Sequence, residues 1–263
     1  DETQLAMLAP IDVFDPVYSG GITVPPVGTT IDQTRRQTGI YAQNLMSLGR
    51  WHLMLGGRYD RAEAKTDTSG AVVRQDDEAF TGRAGLVYAF DNGLAPYISY
   101  TTSFQPLGGS TPDGRPLEPM EGRQAETGLR YQPVGYNSMI TVSAYHLVQE
   151  NVATSTTGAA YLQTGEVEVK GLELEAHADL GDGYRAIASY AYSDSEITET
   201  LRDAQMGRQL AFVPRNTAAL WLDKSFNQGI ADGLGLGAGA RYIGHLYGEL
   251  NNQFKSPGVT LFD

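Results

Sequence analysis

The sequence contains no cysteine, which removes any disulfide framework and any thiolate metal site from consideration. It has no apolar run near the roughly 18 residues that a transmembrane helix requires. A membrane barrel stays open, because a barrel strand needs only about 10 residues of alternating character. Positive charge is scarce as well: 19 Lys and Arg stand against 31 Asp and Glu, a formal net charge of -12. A general nucleic-acid binder needs a basic surface to displace counterions from phosphates, so no nucleic-acid partner is expected. The opening DETQLAMLAP has neither the basic region nor the apolar core of a signal peptide. Either a targeting segment has been removed or the chain begins inside a longer protein. Catalytic signatures are missing too. There is no G-x-S-x-G, no H-E-x-x-H and no P-loop lysine motif, so nothing points to an enzyme.

What the chain does have is Gly (31) and Tyr (15) in a length of 263, enough for one large or two ordinary domains and suited to β-structure with tight turns. Short hinges recur: SLGR (47–50), FDNG (90–93), PVGYN (133–137), LGDG (180–183) and the somewhat longer NQGIADG (227–233). Asn, Asp and Gly tolerate the positive φ that two-residue hairpin turns demand. Between the hinges lie long polar connections at 62–77, 105–122, 151–163, 199–209 and 248–258. In an up-and-down sheet alternate connections lie at opposite ends. Short turns therefore gather at one end and long loops at the other, as in outer-membrane barrels.

The segments between connections alternate. In GLELEAHADL, Leu172, Leu174, Ala176, Ala178 and Leu180 share one face, and Glu173, Glu175, His177 and Asp179 the other. Trp51, Leu53, Leu55 and Tyr59 likewise oppose His52, Arg58 and Asp60, and Leu234 to Tyr242 oppose a row of Gly ending in Arg241. A soluble sandwich would alternate too, with its apolar face inward. Small apolar residues with aromatics near strand ends fit a lipid-facing band better. About ten strands are predicted, near 36–47, 51–61, 78–90, 94–104, 123–132, 138–149, 164–180, 184–197, 210–225 and 234–247. An eleventh starts at Val259 and stops at Asp263. A barrel cannot leave an open edge in lipid, so the chain is expected to be part of a larger barrel.

Four segments, RQTGIYAQNLMSLGRWHLMLGGRYD, DDEAFTGRAGLVYAFDNGLAPYISYTTSFQP, QTGEVEVKGLELEAHADL and VPRNTAALWLDKSF, closely resemble the barrel of TonB-dependent siderophore receptors. IDVFDPVYSG resembles a loop opener of the ferrichrome (hydroxamate) branch. The resemblance runs from about Asp12 to Asp263. It implies an all-β, antiparallel up-and-down transmembrane β-barrel of about 22 strands in the bacterial outer membrane. It also implies an N-terminal plug carrying the segment that the TonB complex grips. This sequence shows no plug, no first half of the barrel and no terminal aromatic-ended strand. Residues 1–35 are expected to be an extracellular loop region before the first complete strand, and 36–263 a partial barrel. Implied partners are a ferric siderophore, the TonB complex through the plug, and outer-membrane lipid and lipopolysaccharide. No cofactor is called for, since the ferric siderophore is cargo. Two other functions share the strand pattern: a passive porin or structural barrel, and a soluble all-β binding domain.

GLGLGA (233–238) loosely fits a dinucleotide loop, but no helix follows, and small residues on one strand face explain it better. Glu173, Glu175, His177 and Asp179 would suit a cation by type. Any strand facing a wet lumen nevertheless lines up alternate polar residues, so a wall packing on a plug is preferred. The QDDE run (75–78) reads as a solvated rim, with calcium or lipopolysaccharide bridging left open. Phe104, Gln105, Tyr161, Gln163, Phe212 and Tyr247 lie where strands give way to long loops. Aromatic faces and amides there would hold a compact, near-neutral ferric hydroxamate, although aromatics at strand ends also build girdles. The loops carry no cationic excess: 62–77 has two cations against four anions, and 151–163 has no charge. An anionic catecholate or citrate chelate would profit from a cationic mouth.

Overall fold

The computed structural model describes residues 31–111, 113–155, 161–200 and 202–263. Ten long strands follow one another: β1 (Ile31–Leu48), β2 (Trp51–Thr68), β3 (Ala71–Tyr88), β4 (Leu94–Gln105), β5 (Met120–Tyr131), β6 (Met139–Ser155), β7 (Tyr161–Gly181), β8 (Tyr184–Glu199), β9 (Asn216–Ser225) and β10 (Gly235–Ile243). A small hairpin, β11 (Leu246–Tyr247) with β12 (Lys255–Ser256), precedes β13 (Val259–Phe262). Every long strand pairs antiparallel with its sequence neighbour, giving an 11-stranded sheet in the order β1 to β10 and then β13. β1 and β13 are its two edges, and the sheet is not closed.

The pairing register carries one face unbroken across the sheet. Leu55 lies opposite Asn44 and Ala84, Ala84 opposite Tyr100, Leu174 opposite Val142 and Tyr190, and Ala188 opposite Leu220. This outward face is apolar and exposed, with Ile98 at 59% and Leu172 at 53%. Aromatics bound it. Trp51, Tyr88 and Phe90 stack edge to face at the short-turn end, each neighbouring pair 4.7 Å between centroids. Tyr59 and Phe80 stand directly opposite each other toward the long-loop end. The Trp51–Tyr59 stretch is close to the roughly 9–11 residues a tilted barrel strand needs to span lipid.

The inner face is polar, and its large side chains lie over glycines. The Trp221 ring covers Gly237 and Gly239, where an added Cβ would sit 2.6 and 2.5 Å from ring atoms. Tyr97 covers Gly128 in the same way, at 2.6 Å. Gly237, within the 233–238 segment, and Gly239 just beyond it therefore make room for an indole on the neighbouring strand.

The expected boundaries shift in several places. β1 begins at Ile31, so residues 31–35 belong to the sheet, pairing with 64–68, and not to a preceding loop. The segment 62–77 is no loop: β2 and β3 stay paired from Ala62↔Asp77 to Thr68↔Ala71 and turn at Ser69 (φ 51°) and Gly70 (φ 94°). A continuing ladder satisfies the backbone groups that a polar loop would leave to water. β6 and β7 likewise run on to Ser155 and from Tyr161. β9 starts at Asn216, not 210, because Pro214 lacks an amide donor and the connection from Thr200 to Arg215 holds a 3-10 turn at Asp203–Gln205. The remaining hinges fall where expected. IDVFDPVYSG lies outside the described residues.

Candidate functional site

The strands reach well past the outer aromatic row at the long-loop end, and the loops there fold over the inner face. Residues 106–119 cross from β4 to β5. Leu117, 1% exposed, is buried, and its carbonyl accepts from Gln75 Nε2 at 2.6 Å. Gly108 comes up against Gln33 and Arg35 of β1. On the other side, Glu118 N–H donates to Gln163 Oε1 (3.0 Å) and Gln163 Nε2 returns to Glu118 O (2.8 Å). Asn151 Nδ2 donates to Pro119 O at 3.0 Å. Asp113 accepts from Thr111 and Arg115, which holds its carboxyl below the usual aspartate range.

A second group of loops covers β6 to β8. The 200–215 connection doubles back along β8, with Ile197 N–H to Arg208 O and Gly207 N–H to Ile197 O both at 2.9 Å. Leu210 and Leu250 pack on buried Val167, Val169 and Ile197 with Tyr145 and Leu147. Asn252 clamps Gln209 in both directions, accepting from its N–H at 2.8 Å and donating to its carbonyl at 3.0 Å. Burial opposes ionisation of Glu249, but backbone N–H groups of Gln253, Phe254 and Asn251 outweigh it and lower its pKa.

Below the loops three ion pairs lie on the inner wall: Arg58 with buried Asp60 (2.5 Å), Arg185 with Asp223 (2.8 Å) and Arg241 with Asp263 (2.9 Å). Glu126 accepts from Tyr97 Oη (2.7 Å) and Gln124 (3.0 Å). Glu173, Glu175, His177 and Asp179 point along one strand face as expected. No group of three or more His, Asp or Glu among the described residues is arranged to hold a metal ion. QDDE splits between faces: Asp76 turns outward to Arg61 (2.5 Å), whereas burial raises the pKa of Asp77 against a hydrogen bond from Gln75.

The predicted site residues do not form one cluster. Gln105 faces inward and lines a cavity of about 290 Å³ with Arg35, Gln37, Ala62, Ala64 and Asp77. Phe104, the adjacent residue, takes the opposite face and borders an outward groove with Phe80 and Tyr100. That placement fits a girdle and not a ligand pocket. Gln163 spends its amide on Glu118 and on Asn151 O (3.1 Å). Tyr161 opens β7, and its side chain lies outside the described residues. Phe212 (φ 63°, 72% exposed) and Tyr247 come together, Phe212 N–H donating to Tyr247 O at 2.8 Å. The amide anchors Gln75, Asn151 and Asn252 were not found from sequence. Their only signal was an amide at a strand end or loop tip, and the loop's path decides its use.

Residues 4–263 match the family described as TonB dependent receptor-like, beta-barrel. Among curated proteins, the chain is 38% identical over 257 residues to the ferrioxamine B receptor of Salmonella typhimurium, covering 97% of this chain and 36% of that protein. It is 36% identical over 233 residues to the ferrichrome outer membrane transporter/phage receptor of Escherichia coli K12, covering 87% and 31%. The siderophore receptor PiuA of Acinetobacter baumannii superposes with a TM-score of 0.74 at 25% identity, covering 88% of this chain and 36% of that one. The chain thus spans about a third of the length of these relatives. An open sheet of consecutive antiparallel strands, apolar outside and charged within, is what a segment of such a barrel looks like, and the chain belongs to the TonB-dependent receptor β-barrel family.

Proposed function

We propose that the chain is part of an outer-membrane receptor for TonB-dependent uptake of a ferric siderophore, a ferrichrome-like hydroxamate chelate, and that it is not an enzyme. The observation that carries this is the 35–38% identity, over most of the chain, to receptors and transporters named for ferrioxamine and ferrichrome. The geometry is compatible with it. Loops folded inward at one end narrow the mouth, which suits a receptor that recognises its cargo better than an open pore. In this proposal the long-loop end faces outside, the short turns face the periplasm, and the TonB complex acts through a plug domain seated against the inner wall. The mouth offers amides, aromatics and paired charges and no cationic excess, which favours a near-neutral chelate over an anionic one.

The test is expression of the full-length receptor in a strain lacking its hydroxamate uptake systems, with growth on ferric hydroxamate, catecholate and citrate as sole iron sources. Restored growth on the hydroxamate, with tight and weakly salt-dependent binding by the purified receptor, is expected. Growth on none of the chelates, or on an anionic chelate alone, would refute the assignment.

A further inference from the structure

We propose that the upper edge of β3 takes up an extended, basic segment of a second polypeptide as an added strand, in a fork of the wall between β3 and β4. This edge is independent of the cargo that the receptor carries.

β3 and β4 are paired only from Val87↔Tyr97 to Arg83↔Thr101. Beyond that point β3 stays on β2 as far as Ala71, and β4 stays on β5 as far as Gln105. The ladder between the two therefore opens into a fork. The Thr102 hydroxyl closes its apex, accepting from Gly82 N–H at 2.8 Å and donating to Gly82 O at 3.4 Å. Gly82 thus turns both backbone groups toward β4, and alternation gives Phe80, Glu78, Asp76 and Arg74 the same orientation. The parity holds at the other end of the strand, where Phe90 N–H reaches Leu94 O on the β4 side and Ala89 N–H reaches Arg50 O on the β2 side. Among the described residues no backbone group pairs with this edge from Arg74 to Phe80. All four residues are exposed. Unpaired donors and acceptors along about 20 Å of strand are a template for another strand.

The fork is closed behind and open in front. Residues 106–119 pass on its inner side, where the Leu117 carbonyl takes the inward Gln75 side chain at 2.6 Å and Gly108 meets Gln33 and Arg35. On the outer side a groove of about 360 Å³ runs beside the edge, its lining including Phe80, Tyr100, Phe104, Glu78, Glu121 and Arg123. Arg123 is taken by Glu150 at 2.6 Å. Glu78 and Glu121 form no ion pair among the described residues, so the groove keeps an excess of negative charge. An added strand would draw affinity from its backbone hydrogen bonds and specificity from its alternate side chains. Basic side chains belong beside Glu78 and Glu121, and uncharged ones suit the end at Arg74. Antiparallel pairing with β3, the more stable arrangement, puts the basic residues in the N-terminal half of the segment.

The experiment uses the full-length receptor in detergent and a capped peptide, Lys-Thr-Lys-Thr-Val-Thr-Val-Thr. Binding is followed by fluorescence anisotropy and by hydrogen exchange resolved to single amides. Saturable binding is expected, at least tenfold tighter than that of the same peptide with glutamate for lysine. Of two forms N-methylated at odd or at even positions, one should lose tenfold or more, because it lacks the donors that face the edge while keeping its charge. On binding, the amides of Arg74, Asp76, Glu78 and Phe80 should slow at least tenfold. Those of Gln75, Asp77 and Ala79, already bonded to β2, should not change. The double variant E78Q/E121Q should weaken binding severalfold. No saturable binding, both N-methylated peptides binding like the parent, or unchanged affinity in E78Q/E121Q would each overturn the proposal. So would slow exchange at the four amides before peptide is added, since another part of the receptor would then already occupy the edge. None of these readouts involves a chelate, so a failure to bind ferric hydroxamate counts against the uptake assignment alone.

Discussion

The side-chain amide of Gln163 accepts from Glu118 N–H and donates to Glu118 O, so it pairs with the loop backbone as a neighbouring strand would. Asn252 treats Gln209 in the same manner. Amides suit this task because one group carries both a donor and an acceptor. Sequence position flagged Gln163 as a loop-base amide and gave it to a ligand, but the path of 106–119 assigns it to the loop instead. Gln105, flagged for the same reason, does reach an inward cavity. Neighbouring Phe104 could not, since adjacent strand residues point apart. We expect Gln163→Leu to loosen residues 106–119 by about 2–3 kcal/mol, from two or three lost hydrogen bonds of roughly 1 kcal/mol each. Hydrogen exchange at Glu118 should accelerate accordingly while the global unfolding midpoint barely moves. Unchanged exchange at Glu118 would show that buried Leu117 and Asn151 hold the loop without it.

Among whole elements the β2–β3 hairpin departs furthest from expectation. Its upper part reads as a polar connection because AEAKTDTSGAVVRQDD is charged and carries little apolar alternation. Outside the lipid both faces of a ladder can be wetted, so the hydrophobic pattern that marks a strand disappears while the pairing persists. The legible signal was the Ser69-Gly70 dipeptide, a turn signature that sits symmetrically between Thr68 and Ala71. Strands inside the apolar band were readable from alternation, and their short turns from Asn, Asp and Gly. β9 was misplaced because Phe212, Val213 and Pro214 continue an apolar pattern in a segment that no longer pairs as a strand. Limited proteolysis of intact cells bearing the receptor should therefore cut at the tip, Ser69–Gly70, and leave 62–67 and 72–77 intact. Cuts spread evenly through 62–77 would mean that the ladder does not persist above the membrane, and cuts at Asp91–Gly93 would reverse the topology.

For the molecule as a whole, one register decides which solvent every side chain meets. Leu174 and Glu175 are consecutive, yet Leu174 lies between Val142 and Tyr190 on the outward face, and Glu175 between Thr141 and Ser189 on the inner one. A slip of one residue at any pair would exchange the two sets, so the continuity of both faces across all eleven strands is a stringent consequence of the pairing. Two substitutions on neighbouring strands test it with the same side chain. Arginine at Leu174 would be placed in the apolar band, where a lipid-facing cation near the midplane costs about 2–4 kcal/mol. Arginine at Ser189 would point inward toward Glu175, in water and beside a carboxylate, at a cost within about 0.5 kcal/mol either way. Urea unfolding of the full-length receptor in lipid vesicles should separate Leu174→Arg from Ser189→Arg by at least about 2 kcal/mol. A soluble β-sandwich makes a different forecast, because its apolar face is a dry core: Leu174→Arg would then unfold the protein in water without any lipid. Equal costs for the two variants in vesicles would mean that the outward face does not meet lipid, and the barrel assignment of these strands would fall with it.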